Sequence, residues 1–236
     1  MPKSIGNKAL RTFGWLLMLT SVWQAQAQDS KATYATMAPL DQYLMGREAE
    51  INLARSAAPP SIADHAEVMV LGKGGYEIAV NGKNGFVCMV LRGWTAAFDD
   101  PVFWSPKTRG PICLNPAAAR SYLPLILKKT DLVLAGGSKD HMVELIAAAI
   151  RTKELPAMEP GAMSYMLSRQ GYLNDDVGHW HPHLMFFVPL ADAGSWGGGL
   201  PGSPVIEAKD ETAQVITFMV PVRAWSDGTA DLPGEH

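Results

Sequence analysis

The stretch AEVMVLGKGGYEIAVNGKNGFVCMVL, residues 66–91, decides the fold. Three apolar runs, Ala66–Leu71, Tyr76–Val80 and Phe86–Leu91, are separated by Gly72-Lys73-Gly74-Gly75 and Asn81-Gly82-Lys83-Asn84-Gly85. β-Branched and aromatic residues favour extended backbone, and glycine and asparagine accept the positive φ of tight turns. The stretch therefore reads as three strands in an antiparallel meander. The third run is apolar on both faces, with Phe86, Cys88 and Val90 on one and Val87, Met89 and Leu91 on the other. That pattern predicts a central strand covered on both sides.

Upstream, Pro39 or Asp41 opens a helix expected to reach about Arg55, with Leu40, Tyr43, Leu44, Ile51 and Ala54 as its apolar stripe and Pro59-Pro60 closing it. Downstream, residues 92–116 read as irregular, with Trp94, Phe98, Phe103 and Trp104 set among prolines. Such an aromatic loop either lines a pocket or packs on the sheet, and packing is the commoner outcome. Lys107 and Arg109 are its positive charges, either a solvated pair or a contact for an acidic group. Asn115-Pro116 supplies a capping side chain and a first-turn proline for a helix to about Leu123. Pro124–Leu134 fits a short helix or a strand, and Ser138 caps a helix over Lys139–Glu154. Met142, Leu145, Ile146, Ala149 and Ile150 form the buried face of that last helix. Ala162–Ser168 alternates as a strand does, and residues 183–190 and 213–222 supply two more. The fold class is α+β: an antiparallel or mixed sheet of five to six strands with helices packed on its faces.

The N-terminus has the pattern of a secretory leader: Lys3, Lys8 and Arg11, an apolar Phe13–Trp23, and Ala25-Gln26-Ala27 as the cleavage signal. Residues 1–27 are therefore expected to be a signal peptide and 28–236 a single α+β domain, with 28–37 and 226–236 disordered. The expected location is periplasmic or secreted. No later segment reads as a membrane span. The leader holds three of the 20 basic residues and none of the 23 acidic ones, so the mature chain carries 17 against 23, a formal charge of −6. That balance argues against nucleic acid or an anionic bilayer as partner, since both require a basic footprint. Cys88 and Cys113 remain after cleavage. In an oxidising compartment they are a candidate disulfide, with two buried thiols as the alternative.

Chemical density peaks at Gly178-His179-Trp180-His181-Pro182-His183, which holds three of the six histidines. In extended backbone, residues 179, 181 and 183 share one side. Neutral imidazole is a common transition-metal ligand, and zinc in an open catalytic site takes three protein ligands plus water. At ~3.3 Å per residue the first and last are ~13 Å apart, so a straight strand offers a pair unless Pro182 bends it. Asp175 and Asp176 are the nearest candidates for a catalytic base or an orienting carboxylate. Met163, Met166 and Met185 lie close in sequence, as a copper(I) site would need, but methionine is also an ordinary core filler.

The leading expectation is an exported soluble protein with His179, His181 and His183 on zinc or another divalent transition metal, for binding or for metal-assisted hydrolysis. The alternative is a non-catalytic periplasmic ligand-binding or interaction domain, its aromatic loop 94–104 holding a small molecule or protein. A third reading places the histidines and Trp180 in a packed, hydrogen-bonded edge. The chain has neither G-x-S-x-G nor H-E-x-x-H. The glycine-rich 194–204 lacks the Lys-Ser/Thr of a phosphate loop.

Overall fold

The computed structural model describes residues 34–232. The expected signal peptide, and the outer parts of both segments expected to be disordered, lie outside the described residues. Eight strands form one sheet: β1 (Glu67–Gly72), β2 (Gly75–Val80), β3 (Val87–Leu91), β4 (Gly110–Leu114), β5 (Met163–Met166), β6 (His183–Pro189), β7 (Ile206–Asp210) and β8 (Val215–Pro221). Their spatial order is β2-β1-β3-β4-β5-β6-β8-β7. The sheet is α+β and mixed, as the sequence suggests, but larger than the five to six strands expected. β4 escapes sequence reading because it begins Gly110-Pro111, and β7 because Glu207, Lys209 and Asp210 make it polar. β7 lies at the sheet edge, where charged side chains discourage pairing with another chain.

The meander expected for residues 66–91 is corrected at its second turn. β1 and β2 form an antiparallel hairpin, but β3 pairs in parallel with β1 through Glu67↔Val87 and Val68↔Cys88. Residues 81–86 do not form a hairpin turn. They pass beneath the start of β1, held by hydrogen bonds from Lys83 N to His65 O and from Glu67 N to Phe86 O. Gly82 is required there, because a Cβ would lie 2.1 Å from Glu67 N. β1 thus takes partners on both sides, and the doubly apolar β3 lies inside the sheet between β1 and β4.

One face of the sheet is covered by α3 (Pro116–Ser121), α4 (Leu123–Leu134) and α5 (Lys139–Arg151). Asn115 caps α3 by accepting from Ala118 N, and Ser138 caps α5 by accepting from His141 N. Pro124 opens α4 rather than breaking a helix, since a first-turn proline loses no intrahelical hydrogen bond. Ile126, Val133, Met142 and Ile146 from these helices pack with Met89, Ile112, Leu114 and Phe187 from the sheet. The aromatic loop joins the same core: Trp94, Phe98, Phe103 and Trp104 are all buried, and Trp94 Nε1 donates to Thr130 Oγ1 at 3.0 Å.

The opposite face carries α1 (Arg47–Arg55) and α2 (Pro60–Ala63) over β1, β3 and β4. The helix expected to start at Pro39 or Asp41 is interrupted, with a 3-10 turn at Leu40–Gln42 and α1 beginning only at Arg47. The interruption buries Tyr43, whose hydroxyl donates to Trp104 O and whose carbonyl accepts from Arg92 Nε. Arg92 also pairs with Glu50 of α1 at 2.8 Å, both side chains being fully enclosed. Beyond α1, the segment 190–198 covers β6 and β8, with Trp196 stacked on Phe218 at 5.1 Å. Gly198 approaches so closely that a Cβ would lie 2.7 Å from the Phe218 ring. No helix among the described residues is long and apolar enough to cross a membrane.

Cys88 and Cys113 are directly opposed on β3 and β4 and form a disulfide with Cα atoms 4.0 Å apart. Residues 226–232 fold back on the domain: Ser226 N donates to Leu167 O, Trp225 N to Thr229 O, and Asp231 N to Arg223 O.

Candidate functional site

The histidine stretch lies at the start of β6, as its sequence suggests, but the three imidazoles occupy different surroundings. His183 is the first residue of β6 and is 3% exposed. Its Nδ1 donates to the carbonyl of His181 at 2.8 Å, which fixes the proton on Nδ1, since a carbonyl can only accept. Burial pushes its pKa down to about 4, so the ring is neutral at neutral pH. Trp180 meets that ring edge-on at 4.7 Å and is held at φ 54°. Left-handed backbone costs a non-glycine residue ~1–2 kcal/mol. His181 Nδ1 donates to Asp231 Oδ2 at 2.7 Å, joining the start of β6 to the folded-back 226–232 segment. His179 lies against Trp225 at 5.2 Å, and the Arg169 guanidinium lies 5.1 Å from the same indole.

His179 and His183 do share one cavity, with Pro111, Met166, Ser168, Gly171 and Leu173, but its volume is about 10 Å³. That is room for roughly one water molecule. Among the described residues no group of three or more His, Cys, Asp or Glu side chains is arranged to hold a metal ion. Asp175 accepts from Lys107 Nζ at 2.9 Å, from Tyr34 OH at 3.2 Å and from Tyr172 OH. The hydrogen bond from Lys107 holds its carboxyl below the usual range. Asp176 is exposed, and its backbone N–H is taken by Asn174 Oδ1. Ser168 is equally engaged. Ser56 Oγ donates to Leu53 O, so in the 2.6 Å Ser56–Ser168 contact the shared proton comes from Ser168.

A larger concavity lies elsewhere, between α5 and the β7–β8 turn. Three cavities of about 480, 380 and 470 Å³ follow one another along it. Val143, Glu211 and Thr212 are common to the first two, and Ile150 and Gln214 to the last two, so they form one open trough. α5 contributes Lys139, Val143, Ala147, Ile150 and Arg151, a stripe at helical spacing beside its core stripe. Asp210 shapes the turn, its Oδ1 accepting from Ala213 N at 2.9 Å, and Gln214 closes it at φ 54°. Beneath the turn, Lys129 is 2% exposed and donates to Asp210 Oδ2 at 2.8 Å and to Ala96 O at 2.9 Å. Burial lowers the pKa of its ammonium, with Asp210 opposing that shift. This buried pair anchors one end of the trough to α4. The other end is lined by the apolar Leu155, Pro156, Met158, Ala213 and Val215 together with Lys153.

Sequence reading missed the trough. The second stripe on α5 is visible in the sequence, but its partner wall, residues 210–214, is distant along the chain. Comparison with protein-family models, with curated proteins and with solved structures finds no match. The fold and its surface therefore define the class by themselves: an α+β domain with one eight-stranded mixed sheet, a buried disulfide and an open trough along one helix.

Proposed function

We propose that this chain is an extracytoplasmic, non-catalytic binding domain whose trough between α5 and the β7–β8 turn receives a short peptide segment. The observation that carries the reading is the continuity of the three cavities through shared lining residues. Small-molecule sites enclose most of their ligand. An open, elongated trough suits a chain lying along it instead. Export is supported by the leader pattern in residues 1–27 and by the Cys88–Cys113 bond, a linkage that persists in oxidising compartments. The test is a thermal-shift screen of the untagged chain against short peptides, repeated with Ala147→Trp, which fills the middle of the trough. Binding that Ala147→Trp abolishes is expected. Absence of any binding, or binding indifferent to Ala147→Trp, refutes the reading.

A second reading, a divalent metal at the histidine stretch, is favoured by one observation: His179 and His183 line the same cavity. Elemental analysis of untagged protein distinguishes it. One zinc or copper per chain, lost in His179→Ala, would support it, and a metal-free protein that Zn²⁺ does not stabilise would remove it.

A further inference from the structure

We infer that the occupant of the trough is a short peptide with both termini free, its amino end beside Asp140 and Glu211 and its carboxylate beside Arg151 and Lys153. The inference rests on the binding-domain reading and names its ligand.

The two ends of the trough differ in charge. At the first, Asp99, Asp140, Asp210 and Glu211 line the cavity with Lys139 and Lys209. Lys209 is neutralised by Glu207 at 2.9 Å, whereas Lys139, whose Nζ donates to Phe98 O at 2.7 Å and lies over the Phe103 ring, keeps its positive charge. Asp210 is neutralised by Lys129. Among the described residues Asp99, Asp140 and Glu211 have no ion-pair partner, so three carboxylates stand against the one ammonium of Lys139 and this end is net negative. Arg151 lines the middle cavity, which Glu211 also reaches from the first end, and Lys153 lines the far one; neither Arg151 nor Lys153 has an ion-pair partner among the described residues. The trough is therefore polarised along its length, with the apolar Ile150, Leu155 and Val215 between and below its ends.

The helix dipole points the other way, with the positive end of α5 near Asp140. It amounts to about half a unit charge at each end, against a net excess of about two side-chain charges, so the side chains decide the sign. Length fits the same occupant. Asp140 to Arg151, the last residue of α5, spans 11 helical steps, ~17 Å at about 1.5 Å per residue, with Lys153 just beyond, a length that an extended chain covers with about six residues. A free hexapeptide would place its ammonium at the acidic end, its carboxylate at the basic end and one or two apolar side chains against Ile150 and Val215.

The experiment uses a randomised hexapeptide pool with an apolar residue fixed at its centre, in four forms: free termini, N-acetylated, C-amidated and doubly blocked. Affinity for the untagged full chain is measured by calorimetry. Free termini should bind tightest, with each block weakening binding roughly 2–5-fold, the scale of one exposed ion pair. Raised salt should erase the difference. Arg151→Glu with Lys153→Glu should weaken the free and N-acetylated forms and leave the amidated form unaffected. Asp140→Lys with Glu211→Lys should do the converse. Equal affinity of all four forms, with binding still abolished by Ala147→Trp, overturns the end-recognition inference and spares the binding-domain reading. No binding of any form overturns both.

Discussion

Replacing His183 by asparagine tests whether a buried neutral imidazole sets the acid limit of this fold. Asparagine places an amide N–H where the imidazole Nδ1–H now donates to His181 O, so the hydrogen bond persists while the titrating group is removed. Burial lowers the pKa of His183 from 6.5 to about 4. In the unfolded chain the imidazole protonates at its ordinary pKa, so between these values the unfolded state binds more protons and stability falls as pH falls. The stabilisation held in the neutral ring is complete above about pH 6.5 and is lost progressively toward pH 4. A depression of this size amounts to roughly 2 kcal/mol lost by about pH 5 and roughly 3 kcal/mol by about pH 4. The Asp175 and Asp227 carboxyls, held low by their own partners, also lose stabilisation on acidification, but equally in both proteins. Urea unfolding from about pH 7.5 down to pH 4 is the assay. At neutral pH the variant should be the weaker by about 1–3 kcal/mol, for the volume it leaves empty. That gap should close, or change sign, in acid. A constant gap across the range would refute the reasoning and show that His183 titrates normally.

Three other perturbations probe the frame around the site. Joint replacement of Cys88 and Cys113 by alanine should cost roughly 3 kcal/mol in the chain-entropy account of a cross-link of this loop length, and thiol titration of the unreduced unfolded chain should detect no free cysteine. Glu50→Ala leaves Arg92 buried without its counter-charge and should cost about 3–5 kcal/mol in denaturant unfolding, with Glu50→Met combined with Arg92→Met recovering part of it. Lys153, at φ 61° just past the end of α5, occupies a position where glycine is relaxed. Lys153→Gly should therefore raise the melting temperature, by the equivalent of about 1 kcal/mol, with Lys153→Ala giving no such rise.

Local signals in the sequence reach as far as local physics does. The runs 67–72, 75–80 and 87–91, the caps Asn115 and Ser138 and the strand after His183 all follow from short-range pattern, and all are present. Partner choice is a different matter. Nothing within Phe86–Leu91 states that it pairs in parallel with β1, because that choice depends on whether residues 81–86 turn back or pass beneath β1, and Asn-Gly composition suits either. Pro111 hides β4, although the strand tolerates it opposite Val90. The spacing of His179, His181 and His183 is likewise a one-dimensional fact. Whether they converge is decided by Trp180, whose positive φ turns the backbone between them, and by Asp231, some 50 residues away.

The histidine stretch can be understood as a clasp without reference to any ligand. The start of β6 is where a polar loop, the 226–232 segment and the sheet interior meet, and each needs a different kind of partner. Imidazole has an apolar body and two polar nitrogens, so one residue type serves all three. His183 seals the interior while satisfying a carbonyl, His181 reaches the carboxylate of Asp231, and His179 packs on Trp225. Pro182, which has no N–H to donate, still contributes its carbonyl to Val222 N. What remains between these groups is about 10 Å³, too little for any organic ligand. Two of the three imidazoles spend their Nδ1 on protein acceptors at this meeting of three segments. Asp140, Glu211, Arg151 and Lys153, which have no ion-pair partner among the described residues, line the trough along α5 and the β7–β8 turn, where the proposed ligand would lie.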